Sequence, residues 1–215
     1  MQLEQFRRVV LDIDETLVSC FFRKGLKKKE KELFDNIENI PELNGRFFKR
    51  NLIDCSERHK PGTGNSLEAV VILRPHVKEF IEYISSISCI DIWSAGNFRY
   101  VRMVESILFS NDIQTKTVFT RENCQLTSNQ TGNLTVAKNL LNEGYDLSKT
   151  IIIDDREDVV SCNERNSILI PPYNPKFTIG GILQDDDSLL RIIEWMKINN
   201  FDSVRDVRDL NYNIF

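Results

Sequence analysis

Six short, near-continuously apolar runs rich in β-branched residues constrain this chain most. They are residues 8–13 (RVVLDI), 69–73 (AVVIL), 89–94 (CIDIWS), 116–120 (KTVFT), 150–154 (TIIID) and 167–170 (SILI). Runs without polar alternation suit strands buried on both faces. Between them lie stretches with helical periodicity. The segment PHVKEFIEYIS opens on Pro75, which predicts a proline in the first helical turn. NFRYVRMVESILF puts Tyr100, Val104, Ile107 and Leu108 on one face. LTVAKNLLNEG reads as a helix closed by Gly144, and DDSLLRIIEWMKINN opens with a capping signal. This alternation predicts an α/β fold, a mainly parallel sheet flanked by helices.

The 215 residues suffice for one core carrying an insertion, so we expect a single domain over 1–215. Residues 21–68 break the alternation, and we read them as an insertion after the first strand, a solvated loop or helix with turn signals at NGRFFKR and HKPGTGNS. The basic run Arg23–Lys31 is either a solvated face or a patch for nuclear import or a charged partner, the solvated face being the simpler reading. A net charge of −4 argues against a general nucleic-acid binder. No stretch is long and apolar enough for a membrane span, and the N-terminus lacks the apolar core of a signal peptide. Cys20, Cys55, Cys89, Cys124 and Cys162 are scattered, odd in number and form no C-x-x-C pair. Free thiols in a reducing, intracellular compartment, nuclear or cytoplasmic, are expected. Acceptor patterns for glycosylation at Asn129 and Asn133 are read as chance.

In a parallel α/β sheet, ligands gather at the carboxyl ends of the strands. Here the first run ends in Asp12-Ile13-Asp14, the third in Ser94-Ala95-Gly96 and the fifth in Asp154-Asp155, with Lys138 between the last two. Crowded carboxylates become tolerable when a hard divalent cation neutralises them. Mg²⁺ accepts oxygen ligands and keeps sites for a substrate phosphate. A carboxylate can then attack phosphorus, with lysine and metal offsetting the phosphoryl charge. Asp12 is the expected nucleophile, and Asp14 the acid and base that protonates the leaving oxygen and activates water. Alternate residues of an extended segment point the same way, so both can face one site. Amides after Asp12 and in the SAG turn are candidate donors to phosphate oxygens.

DIDET resembles the D-x-D-x-T signature of the haloacid dehalogenase (HAD) superfamily, and the order Asp12/Asp14, Ser94, Lys138, Asp154-Asp155 resembles its four motifs. More narrowly, LDIDETLV, LRPHVKEFI, IWSAGNFRYVRMV, FTRENC and IIIDDREDV resemble the FCP/SCP-type phosphatases of the RNA polymerase II C-terminal domain, also called the NLI-interacting-factor family, over about residues 8–175. The resemblance implies a HAD-like Rossmannoid fold without a large cap, and Mg²⁺ as cofactor. It implies metal ligation by Asp12, the Asp14 backbone carbonyl and Asp155, with Asp154 supporting Lys138 or the metal's waters. Ser94 and Lys138 would contact phosphate, Thr16 would organise the loop, and Arg74, Ala95 and Gly96 would line the substrate approach, though a structural arginine suits position 74 equally well. The DDR form of the last motif is more similar to the FCP branch than to the SCP branch, where asparagine is common, yet nothing after it is long enough for the BRCT module of FCP-type enzymes.

Three functional readings stay open. The first is a Mg²⁺-dependent phosphatase for phosphoserine or phosphothreonine in a protein or peptide such as the polymerase C-terminal domain. The second is a HAD phosphatase for a small molecule or nucleic-acid end. The third is a non-catalytic binding module of the same fold. The retained acids and lysine argue against the third. With only His59 and His76, a Ser-His-Asp hydrolase or a Cys/His zinc site has little support. GTGN at 62–65 is no P-loop, since no Gly-Lys-Ser/Thr follows. Glu15 has no assigned task.

Overall fold

The structure is a computed structural model that describes residues 7–54, 62–109, 112–128 and 134–215, the side chains of 126–128 and 134–136 excepted. Cys55, His59, Asn129 and Asn133 fall in or beside the segments outside the described residues.

Among the described residues the strands are β1 (Arg8–Leu11), β2 (Val18–Phe22), β3 (Phe47–Ile53), β4 (Ser66–Leu73), β5 (Cys89–Trp93), β6 (Thr117–Phe119), β7 (Gln125–Ser128), β8 (Leu134–Ala137), β9 (Thr150–Asp154) and β10 (Ser167–Leu169). The helices are α1 (Lys28–Asn36), α2 (Val77–Ile87), α3 (Phe98–Leu108), α4 (Glu157–Cys162), α5 (Ile179–Ile182) and α6 (Ser188–Ile198). Five strands form a parallel sheet in the order β10-β9-β1-β5-β6, with β1 at its centre.

Side-chain alternation sorts β1 onto two cores. Val9 and Leu11 join the larger one, with Phe80, Ile81 and Ile84 of α2, Val101 and Val104 of α3, and Leu189, Ile192 and Met196 of α6. Val10 faces the other way, against Trp93, Ile152, Val159 of α4 and Leu140. In register, Val10 lies beside Ile152 and Leu11 beside Ile153. Two steps beyond that first pair come Asp12 and Asp154, and the Asp12 amide still donates to the Ile153 carbonyl at 3.0 Å. Shared parity therefore puts both carboxylates on one face of one sheet edge.

Three expectations need correction. First, residues 69–73 are not in the parallel sheet. They end β4, the middle strand of an antiparallel β2-β4-β3 sheet that occupies the expected insertion. Val71 and Leu73 face the main core, while Val70 and Ile72 face a second one with Phe34, Leu43, Tyr173 and Phe177. Burial on both faces made the run resemble a parallel strand. Second, Pro75 precedes the helix instead of opening it: α2 begins at Val77, after His76 in the left-handed region at φ 63°. Third, residues 134–137 form β8, paired antiparallel with β7, and not the start of a helix. Short apolar runs fit either periodicity, and a partner strand decides.

Candidate active site

The loop after β1 carries the first acids. Asp12 is 5% exposed, and its Oδ1 accepts a hydrogen bond from Lys138 Nζ. The same ammonium donates to Asp154 Oδ2 at 2.6 Å. Lys138 is 1% exposed and Asp154 fully buried, so this is a desolvated triad. Asp155 completes the cluster: one carboxylate oxygen each from Asp12, Asp154 and Asp155 lie within 4.8 Å of one another. Three carboxylates against one ammonium leave excess negative charge in a poorly solvated place. An all-oxygen donor set of this kind fits a hard divalent cation.

The acidity of the group follows from that crowding. Burial, then the Asp12 charge, raise the Asp154 carboxyl above its ordinary range, with Lys138 opposing them. The same two causes raise Asp155 to about 6 and Asp14 to about 7. Burial works against the Lys138 charge, but Asp12 and Asp154 outweigh it and hold its pKa above the usual value.

Asp14 stands apart from the cluster. The extended chain ends near Asp12, so strict alternation does not carry over to Asp14. Its carboxylate instead accepts a hydrogen bond from the Tyr100 hydroxyl of α3. Periodicity places Tyr100 on a helix face, but no local pattern tells that its hydroxyl reaches Asp14 from 86 residues away. Glu15, unassigned from sequence, has φ 57°. Its amide donates to the Val18 carbonyl at 2.8 Å and its carbonyl accepts from the Tyr173 amide at 2.6 Å. It shapes the loop through its backbone.

The other candidates divide. Thr16 is buried and donates from Oγ1 to Asp155 Oδ1 at 3.3 Å, joining the β1 loop to the last motif. Ser94 is buried, and its Oγ accepts from the Gly96 amide at 2.9 Å. That amide is thus committed to the serine hydroxyl. A Cβ at position 96 would lie 2.7 Å from Tyr100 Cδ1, so glycine is what lets the turn pack on that ring. Arg74 does not line the approach to the site. Its side chain is fully buried. It donates to Asp186 at 3.1 and 2.9 Å, to the Thr16 carbonyl at 3.1 Å and to the Pro171 carbonyl at 2.8 Å. It is a strut behind the loop that follows β1, of the kind that buried guanidinium groups with full hydrogen bonding make.

Beside Asp14 a cleft of about 330 Å³ opens between the antiparallel sheet and the start of α3. Phe22, Leu52, Ile53 and Leu67 give it an apolar wall, and Arg99 and Arg121 a basic one. Arg121 Nε donates to the Ala95 carbonyl at 2.7 Å, tying it to the SAG turn. Neither arginine stood out in the sequence, because only the sheet order brings β6 and α3 to this edge.

A parallel sheet whose central strand ends in paired acids, backed by a lysine and a second acidic pair, defines a HAD-like fold of the phosphatase type. The chain belongs to the NLI interacting factor-like phosphatase family, whose sequence profile matches residues 7–208. Its fold is similar to that of Fcp1, described as an essential RNA polymerase II CTD phosphatase, at 15% identity and a TM-score of 0.65, over 94% of this chain and 68% of that one. It is also similar to an arginine-to-alanine variant of the fission yeast Fcp1 CTD phosphatase bound to beryllium fluoride, at 18% identity and a TM-score of 0.60, over 95% of this chain and 59% of that one. Comparison with curated protein sequences finds no match. Among the described residues, no helix is long and apolar enough to cross a membrane.

Proposed function

We propose that this protein is a Mg²⁺-dependent phosphatase of phosphoserine or phosphothreonine in extended peptides, the RNA polymerase II C-terminal domain being the leading candidate, acting through an aspartyl-phosphate. Residues 1–215 act as one unit in this reading, and an intracellular location, nuclear or cytoplasmic, belongs to it. The observation that carries it is the buried Asp12–Lys138–Asp154 triad with Asp155 beside it. Asp12, Asp155 and the Asp14 carbonyl would hold Mg²⁺, with Asp154 supporting them. When bound, the cation supplies charge neutralisation for the carboxylates and for the phosphoryl oxygens.

The chain's own groups supply the rest. An Asp12 carboxylate oxygen attacks phosphorus, and the bond to the seryl or threonyl oxygen breaks. Asp14 gives that oxygen its proton; an environment that lifts its pKa to about 7 suits a group that must donate and then accept near neutrality. Asp14 next takes a proton from the water that opens the acyl phosphate. Lys138 stays charged throughout and balances the oxygens. The open cleft, apolar on one side and basic on the other, favours an extended phosphopeptide over a small metabolite.

The substrate class is tested by comparing kcat/KM for phosphorylated heptad-repeat peptides with a panel of phosphometabolites. A preference for the peptides of about tenfold or more is expected; a preference for metabolites selects the second reading.

Metal binding is tested by pH. In the metal-free protein Asp14 and Asp155 have raised pKa values, so the folded state holds protons more tightly than the unfolded chain. The stability gained from their protonation is complete below the ordinary carboxylate pKa and is lost as pH rises through about 6 to 7. Mg²⁺ competes with those protons. Millimolar Mg²⁺ should therefore raise Tm by several degrees at pH 8 and by much less at pH 5. Equal shifts at both pH values would count against a metal at this cluster.

A further inference from the structure

We propose that Asn163 is a positioning residue for Lys138, an inference that rests on the phosphatase reading above. Lys138 follows β8, which belongs to the β7–β8 ribbon and not to the central sheet. The ribbon's last pair is Gln125 with Ala137, so the lysine's own backbone is outside any ladder. Among the described residues, its carbonyl is gripped by a side chain. Asn163, at the C-cap of α4, donates from Nδ2 to the Lys138 carbonyl at 2.7 Å and to the Val159 carbonyl at 2.8 Å. Its Oδ1 accepts from the Leu140 amide at 3.0 Å. Two carbonyls on one side and an N–H on the other admit a single orientation of the amide. Asn163 is 7% exposed, and Leu140 and Val159 are fully buried in the same small core.

The clamp links two parts of the site. α4 starts just after Asp154 and Asp155, so the helix that leaves these acids ends in the side chain that grips the lysine segment. Lysine has a long, flexible stem, and the place of its ammonium depends on where its Cα is held. Loosening the backbone at 138–140 should let Nζ drift from Asp12 and Asp154. Misplacement of a charge that balances the transition state lowers kcat more than it changes KM.

Asn166 provides a matched control. It is 4% exposed and donates to the carbonyls of Leu147 and Thr150 at 2.6 and 2.7 Å, at the opposite end of β9. Asn163→Ala removes hydrogen bonds to two carbonyls and one from the Leu140 amide, Asn166→Ala hydrogen bonds to two carbonyls, and only the first touches the lysine segment. With Mg²⁺ and p-nitrophenyl phosphate, assayed at equal intervals below each variant's Tm, Asn163→Ala should lose kcat by about tenfold or more with KM changed less than about threefold. Asn166→Ala should keep its kcat within about twofold. Asn163→Asp retains an acceptor for the Leu140 amide but not the donors, and should behave like Asn163→Ala; it carries the comparison if the alanine variant does not fold. Independently of turnover, hydrogen exchange at the Leu140 amide should quicken by about tenfold in Asn163→Ala and stay unchanged in Asn166→Ala. Equal kcat losses in both alanine variants, or an Asn163→Ala kcat close to wild type, overturn the proposal and leave the phosphatase reading standing. A wild-type protein without phosphatase activity overturns both.

Discussion

Asp12→Asn should reduce aryl-phosphate hydrolysis by on the order of 10⁴-fold or more, while the protein stays folded. The two halves of that expectation have separate causes. An amide oxygen is a poor nucleophile toward phosphorus, so the acyl phosphate does not form. Folding survives because the substitution nearly preserves shape and removes one charge from a cluster that has too much negative charge. The lost attraction to Lys138 is offset by relief of repulsion with Asp154, Asp155 and Asp14, all of which feel Asp12. The remaining side-chain oxygen can still accept from Nζ. Turnover by a purified variant, together with its Tm, checks both halves. Activity within about tenfold of wild type would falsify the assignment of Asp12 as nucleophile.

Lys138→Met should instead harm stability as well as rate. Lys138 is 1% exposed and its ammonium is shared by two buried carboxylates. Methionine fills much the same volume but leaves Asp12 and Asp154 facing each other without a cation. Removing one partner of a buried ion pair costs about 3–5 kcal/mol, which in a chain of this size lowers Tm by roughly 10 °C. The loss should shrink at pH 5, where Asp154, its carboxyl raised by burial and by the Asp12 charge, takes a proton, and when Mg²⁺ is added at pH 8. Turnover should fall by about 10²–10³-fold, the usual effect of deleting one group that stabilises transition-state charge. A metal-free Lys138→Met protein as stable as wild type at pH 8 would show that the triad's charges are not coupled as the geometry implies.

The acids of the candidate site stand out in the sequence because they interrupt apolar runs. Val9, Val10 and Leu11 give way to Asp12, and Ile151, Ile152 and Ile153 give way to Asp154. A hydrophobic strand that ends in carboxylates signals a sheet edge with a task, wherever the strand lies. Lys138 was legible as a residue and misplaced as an element, since LTVAKNLL satisfies helical spacing as well as a strand followed by a turn. Arg74 was legible only as one of two alternatives. Its partners at Thr16, Pro171 and Asp186 lie 58, 97 and 112 residues away, and no local pattern encodes such distances. The contact of Tyr100 with Asp14, and the places of Asn163, Arg99 and Arg121, went unseen for the same reason: each is an ordinary helix or turn residue until its neighbours are known.

The sequence by itself determined a great deal here. Apolar, β-branched runs separated by amphipathic segments can bury their surfaces only as a sheet covered by helices, and their terminal acids had to collect at its carboxyl edge. Tertiary structure alone decided the rest. Strand order set β9 beside β1, and register put Asp154 beside Asp12. The pairing of β7 with β8 delivered Lys138 from outside the central sheet, and the antiparallel sheet built one wall of the cleft. The physical reason is that composition and periodicity report which face of an element is buried, a local property. Which buried faces meet, and which polar groups therefore share one desolvated space, depends on the packing of the whole chain.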